Sequence, residues 1–136
     1  YTDQMIVEDQ GREIVEIFNT DGEEYFRNLE SNKLLKIKDS SDTVYSTGGG
    51  IILRESNRKI LYENFAIYLR ASYDVIFERI KQDNSRPLLN TDNPYLTGLE
   101  IFESRRDLYE SFKYFIDTDD MPPDLVVDAI CSIYKD

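Results

Sequence analysis

The sequence carries arginines and carboxylates at spacings that suit the binding of a small anion. Arg27 and Glu30 lie three residues apart in "FRNLE", so on a helix they would share one face. Arg105 and Arg106 are adjacent in "SRRDLY", and adjacent helical side chains point about 100° apart, so at most one would face a given site. Guanidinium groups bind carboxylates and phosphates through paired hydrogen bonds. Surface ion pairs and a solvated helix face are the structural alternatives.

Three consecutive glycines, Gly48, Gly49 and Gly50, follow the stretch "TVYS". Glycine loses much conformational entropy on folding, so a triplet indicates either a tight turn or a close approach of another group to the backbone. In the second case the backbone N–H groups could bind an oxyanion or a hydroxyl group. No Gly-Lys pair occurs in the 136 residues, so the triplet is not a Walker A loop.

Two further residues, Asp3 and Arg86, could take part in chemistry. Asp3 begins a predicted helix, after a predicted strand, where it is either an N-cap or a carboxylate at the carboxyl end of that strand. Arg86 lies in the loop "SRPLL" beside Pro87. A loop arginine of this kind is either simply exposed or a mobile clamp that closes over a phosphate.

Composition and charge exclude several classes of function. The formal net charge of −11 argues against nucleic acid as a partner, because binding to its phosphates needs a basic face. The chain has no histidine, and phosphoryl transfer fits the remaining side chains because it depends mainly on positioning and electrostatics. Its one cysteine, Cys131, excludes an internal disulfide framework. No apolar run approaches the ~18 residues of a membrane span, so we expect a cytoplasmic protein without a membrane partner.

The elements that must position these residues alternate along the chain. Asp21 and Ser72 are predicted N-caps, and turn residues predict a long loop over 83–95. Apolar periodicity predicts helices over 12–18, 21–38, 55–64, 73–82, 96–112 and from Pro123 to near Tyr134, and strands over 43–46, 65–70 and 114–117. This alternation predicts an α/β domain with a largely parallel sheet, in which ligands collect at the carboxyl ends of the strands.

The stretches "TDQMI", "IFNTDGEEYFRNLE", "STGGG", "RPLL" and "SRRDLY", taken together and in this order, resemble the shikimate kinase family over essentially the whole chain. The resemblance implies a three-layer α/β/α fold of the P-loop kinase type, with a central parallel sheet, in a single domain of residues 1–136. It implies that the γ-phosphate of ATP is transferred, with Mg²⁺, to a hydroxyl of shikimate on the route to chorismate and the aromatic amino acids. It further implies a monomer whose shikimate-binding region spans about residues 3–50 and whose lid loop spans about 83–95.

The resemblance also implies roles for single residues. Asp3 matches the aspartate that contacts the reacting hydroxyl, and Arg86 matches the lid arginine that closes over the phosphates, so these two would be the catalytic residues and Arg86 would also bind the nucleotide. Arg27 and Arg105 match the arginines that bind the shikimate carboxylate, and Glu30 matches the acidic residue that orients Arg27. The implied substrate-binding residues are Asp3, Arg27, Glu30, Gly48, Gly49, Gly50 and Arg105.

Three features depart from the family pattern. The family begins with a strand, a glycine-rich loop that ends in Gly-Lys-Ser or Gly-Lys-Thr, and a helix, and the 136 residues start where we expect that unit to end. Tyr1 stands where the family has an aspartate that helps to hold magnesium. The loop "DTDDMPPD" after the last strand has no basic residue. We therefore expect a piece of a shikimate kinase that lacks its ATP phosphate-binding loop and is inactive by itself, with no metal ligand of its own. The alternatives are an inactive kinase-like domain that binds a small carboxylate or a protein partner, and an interaction domain that uses its acidic surface.

Overall fold

The computed structural model describes residues 1–83 and 85–135. In these ranges two short 3-10 helices lie at Gly49–Leu53, called here the glycine helix, and at Pro87–Leu89. Two strands are formed, β1 (Ile67–Arg70) and β2 (Tyr114–Asp117). The α-helices of the described ranges are α1 (Thr2–Gln10), α2 (Ile14–Asp21), α3 (Glu23–Ile37), α4 (Glu55–Tyr62), α5 (Tyr73–Ile80), α6 (Pro94–Tyr109) and α7 (Pro123–Lys135).

The two strands pair in parallel, with Ile67 opposite Tyr114 and Arg70 opposite Asp117. The connection between them contains α5 and α6, as expected for parallel strands, which need a long crossover. The α/β class with a parallel sheet, predicted from the sequence, is therefore confirmed. No helix in the described ranges is long and apolar enough to cross a membrane.

The strand predicted over 43–46 is wrong. Val44 is 93% exposed, and the sheet within residues 1–83 and 85–135 contains only β1 and β2. A strand forms only where a neighbouring strand completes its ladder of hydrogen bonds. The carbonyl oxygen of Ser46 instead accepts hydrogen bonds from the N–H of Thr2 at 2.9 Å and from its hydroxyl at 3.4 Å.

Of the two predicted N-caps, Ser72 is confirmed in position and Asp21 is wrong. Asp21 is the last residue of α2, and Gly22 takes the cap of α3 with a φ of 89°, a conformation that favours glycine. Ser72 lies at the cap of α5, but its side chain makes no capping hydrogen bond, and its N–H donates to Oδ1 of Asp119 at 2.7 Å. Asp3 is not an N-cap either, because it lies inside the first turn of α1.

Two apolar clusters hold the helices that carry the site. Ile6, Ile17 and Phe26 pack between α1, α2 and α3. A second cluster joins α3 to the glycine helix, and its buried members are Leu34, Ile37, Ile51 and Ile52. Each side chain of this size stabilises the fold by about 1.5–3 kcal/mol when fully buried. The clusters therefore fix α3 against both α1 and the glycine helix.

Candidate active site

The glycine triplet lies where several polar side chains meet. A Cβ atom added at Gly50 would lie 2.2 Å from Nη1 of Arg27, closer than real Cβ contacts allow. A Cβ atom at Gly48 would lie 3.0 Å from Oδ1 of Asp3, and one at Gly49 would lie 2.8 Å from the hydroxyl oxygen of Tyr109. None of the three has a positive φ. The triplet is therefore required by the close approach of neighbouring side chains and not by an unusual turn.

The guanidinium of Arg27 is held on two sides by carboxylates of its own helix. Its Nη1 donates to Oε1 of Glu30 at 3.1 Å. Its Nε and Nη2 donate to one oxygen of Glu23, Oε2, at 3.3 and 3.2 Å. Arginine has five N–H donors, so these three bonds leave one N–H on Nη1 and one on Nη2. Two N–H groups are what a ligand carboxylate needs for a paired contact.

Glu30 and Arg27 form a buried ion pair, with side chains 2% and 9% exposed. Burial raises the pKa of Glu30, and the charge and hydrogen bond of Arg27 oppose that rise. The charge of Arg105 also opposes the rise in the pKa of Glu30, so it acts on the same cluster.

Asp3 presents an acceptor atom that no protein group uses. Its Oδ1 is buried, and it has no hydrogen-bond partner among the described residues. Burial raises the pKa of Asp3, while the charges of Arg86 and Arg27 oppose the rise. A buried carboxylate oxygen with no protein donor can accept the proton of a ligand hydroxyl at this place.

The two adjacent arginines of α6 have different surroundings. Nη1 of Arg105 would lie 4.0 Å from a Cβ atom at Gly49, so this side chain reaches the glycine helix. Within residues 1–83 and 85–135, no carboxylate oxygen lies within 4.0 Å of the nitrogens of Arg105 that could form an ion pair. Arg106 instead pairs with Glu103 at 3.3 Å on the surface. The charge of Arg105 is therefore available to a ligand.

Arg86 precedes the short 3-10 helix and is paired with its neighbour Asp83, Nε to Oδ2, at 3.3 Å. Both side chains are largely exposed. Hydrogen bonds from Ser85 hold the pKa of Asp83 below its usual value, and Arg86 adds to this effect. The charge of Arg86 also opposes the rise in the pKa of Asp3 that burial causes. Residue 84 of the expected lid loop lies outside the described residues.

Sequence reasoning missed two residues that contact the site, Glu23 and Tyr109. Glu23 lies four residues before Arg27 and therefore on the same face of α3. Tyr109 lies four residues after Arg105, and its hydroxyl donates to the carbonyl oxygen of Gly49 at 2.8 Å. In both cases the spacing of four residues from an arginine indicated a shared helix face.

The residues present do not fit the phosphates of a nucleotide. No Gly-Lys pair occurs in the sequence, and no group of three His, Cys, Asp or Glu side chains in the described ranges could hold a metal ion. The loop between β2 and α7 brings aspartates and no basic residue. Of the residues that the resemblance assigns to the nucleotide, the chain supplies Arg86.

Comparison with known proteins identifies the family of the chain. A family model described as shikimate kinase matches residues 2–135. The shikimate kinases of Thermodesulfovibrio yellowstonii and Caldicellulosiruptor bescii are 40% and 34% identical over 134 residues, which cover 98% of this chain and 78% of each relative.

Solved structures agree as well. A structure of the shikimate kinase from Acinetobacter baumannii in complex with shikimate has a TM-score of 0.90 at 30% identity, over 98% of this chain and 76% of that one. The shikimate kinase from Aquifex aeolicus has a TM-score of 0.82 at 29% identity, over 98% of this chain and 79% of that one. The chain belongs to the shikimate kinase family.

Proposed function

We propose that this chain carries the shikimate-binding part of a shikimate kinase, which forms shikimate 3-phosphate from shikimate and ATP. The observation that carries the proposal is the number of N–H donors of Arg27 that its neighbours leave unused. Two carboxylates of α3 occupy three of its donors and leave one N–H on each terminal nitrogen, beside the glycine helix. The ligand expected for such a fork is a small carboxylate.

The remaining groups of the cluster fit the carboxylate and the hydroxyl groups of shikimate. Arg105 adds a second charge for the carboxylate and has no ion-pair partner within the described part of the chain. Glu30 orients Arg27, and Gly48, Gly49 and Gly50 offer the ligand a backbone surface without side chains of their own. Oδ1 of Asp3, which has no hydrogen-bond partner among the described residues, accepts the proton of the hydroxyl that attacks the phosphate.

Arg86 is proposed as the lid arginine that closes over the transferred phosphate. It starts from an exposed pair with Asp83, and such pairs are worth only about 0–1 kcal/mol, so a phosphate can displace the aspartate. ATP supplies the phosphoryl group of the reaction, and we propose Mg²⁺ as its metal. A monomeric state and a cytoplasmic location remain predictions of the sequence.

The test separates binding from turnover. Shikimate is titrated calorimetrically into the chain of 136 residues and into the same chain joined behind the strand–loop–helix unit of the T. yellowstonii relative. ADP formation is then measured with shikimate, ATP and Mg²⁺. Both proteins should bind shikimate, and only the joined protein should turn over, because it alone has amides that cradle the phosphates. Failure of both proteins to bind shikimate would refute the proposal.

A further inference from the structure

Tyr109 connects two parts of the site that are distant in sequence. Its hydroxyl donates to the carbonyl oxygen of Gly49 at 2.8 Å, across 60 positions of the chain. It lies four residues after Arg105 on α6, so both side chains leave the same face of that helix toward the glycine helix. The hydroxyl thus ties the helix that carries Arg105 to the backbone of the triplet.

The hydrogen bond also sets the direction of one backbone donor. The Gly49–Gly50 peptide is planar and trans, so its C=O and its N–H point in opposite directions. With the carbonyl of Gly49 turned to Tyr109, the N–H of Gly50 points to the other side of the peptide. Among the described residues no acceptor takes this N–H. The next N–H along the chain, that of Ile51, donates to the carbonyl oxygen of Gly48.

The ring of Tyr109 is fixed in place, so its hydroxyl can direct the peptide. It stacks on the ring of Tyr68 from β1, with centroids 5.3 Å apart and planes at 11°. It also packs against the buried cluster that joins α3 to the glycine helix. On the other side, Gly50 is in contact with the guanidinium of Arg27.

We propose that Tyr109 is a positioning residue for shikimate binding. Its hydroxyl orients the Gly49–Gly50 peptide so that the N–H of Gly50 donates to shikimate between Arg27 and Arg105. Tyr109 touches no substrate atom in this role, and the role rests on the proposed function. Without the hydroxyl only the hydrogen bonds of the 3-10 helix hold the peptide, and the donor is held less firmly toward the ligand.

The test compares two changes that each remove one hydroxyl from the same stacked pair. Tyr109→Phe deletes the donor to Gly49 and keeps the ring. Tyr68→Phe is the matched control, since the hydroxyl of Tyr68 makes no hydrogen bond within the described residues. In calorimetric titrations, Tyr109→Phe should raise the Kd for shikimate about 3- to 10-fold, the equivalent of one neutral hydrogen bond. Tyr68→Phe should change it less than 2-fold.

Amide NMR spectra supply a readout that a purely structural role of Tyr109 would not move. Shikimate should shift the Gly50 amide resonance of the parent strongly, and this shift should shrink in Tyr109→Phe and persist in Tyr68→Phe. A Gly50 resonance that ignores shikimate in the parent overturns the role, whatever the stability of the variants.

The two proposals fail in different ways. If the parent binds shikimate and Tyr109→Phe binds it equally tightly, the role of Tyr109 is refuted and the proposed function stands. If the parent itself does not bind shikimate, the proposed function fails, and the role of Tyr109 fails with it.

Discussion

Arg27 on α3 and Arg86 in the lid loop are both paired with a carboxylate three residues away, but the two pairs differ in burial. The side chains of Arg27 and Glu30 are 9% and 2% exposed, whereas those of Arg86 and Asp83 are 50% and 40% exposed. A buried pair is strongly destabilised when one partner is removed, while an exposed pair contributes about 0–1 kcal/mol. The comparison separates a buried pair, proposed to anchor the acceptor, from an exposed pair that holds the proposed lid arginine only weakly.

Removal of the carboxylate from each pair should give the largest difference between the two pairs in the free energy of unfolding. Glu30→Ala should lower the free energy of unfolding by about 3 kcal/mol, because a nearly buried guanidinium loses its most buried partner and keeps only Glu23. Asp83→Ala, the matched change in the lid, should alter it by less than about 0.5 kcal/mol. Urea unfolding of both variants measures the difference. Equal losses would show that the two pairs do not differ as described.

A methyl group at Gly50 should disturb the anchor without removing any of its charges. The Cβ atom of Gly50→Ala would lie 2.2 Å from Nη1 of Arg27, so the guanidinium must move. Overpacking of this kind costs about 1–3 kcal/mol. Gly48→Ala should have a smaller effect, because its Cβ atom would meet only the carboxylate of Asp3 at 3.0 Å. Thermal unfolding and shikimate titration of the pair should rank Gly50→Ala as the worse in both, and the reverse ranking would contradict the assigned contact.

Asp3 should lower the free energy of unfolding at neutral pH, because its carboxylate is buried. Burial raises its pKa, so the folded state disfavours the ionised carboxylate, and stability falls as the pH rises from about 3.8 through the raised pKa. Asp3→Asn removes this charge and should stabilise the chain at pH 7 by about 1 kcal/mol, near the lower bound for a buried unpartnered polar group. The gain should shrink as the pH is lowered below the raised pKa. Unfolding curves at pH 4 and 7 check it, and a variant less stable than the parent at pH 7 would be the contrary result.

The sequence predicted the parts of the fold and site that depend on local spacing. The three-residue spacing of Arg27 and Glu30 indicated a shared helix face, and the two form the buried pair on α3. The strands at 65–70 and 114–117 were also expected, and β1 and β2 lie within them. Local patterns work here because the partners of each prediction lie within one or two turns of a helix or in one apolar run.

Contacts between distant segments could not be predicted in this way. The strand expected over 43–46 has a suitable composition, but composition does not reveal whether a neighbouring strand will pair with it. The bond from Tyr109 to Gly49 spans 60 positions, and no spacing rule reaches so far. The sequence left open whether the glycine triplet marks a tight turn or a close approach, and the side chains of α1, α3 and α6 that approach it are revealed only by the structure.

The central claim is that Arg27 binds the carboxylate of shikimate, and a calorimetric double comparison tests it most directly. Hydrogen bonds to charged groups contribute about 1.5–3 kcal/mol, so Arg27→Ala should weaken shikimate binding by roughly one to two decades. Arg27→Lys should also weaken it, since the charge remains but the paired geometry is lost. Arg106→Ala, which removes only a surface pair with Glu103, should leave the Kd unchanged.

The methyl ester of shikimate completes the comparison without a second substitution. It lacks the carboxylate charge, so the parent should bind it more weakly than shikimate, and Arg27→Ala, in which only Arg105 remains for the carboxylate, should distinguish the ester from the acid less strongly than the parent does. That result would locate the carboxylate at Arg27. If Arg27→Ala discriminates between acid and ester as strongly as the parent does, the carboxylate binds elsewhere and the account of this site is wrong.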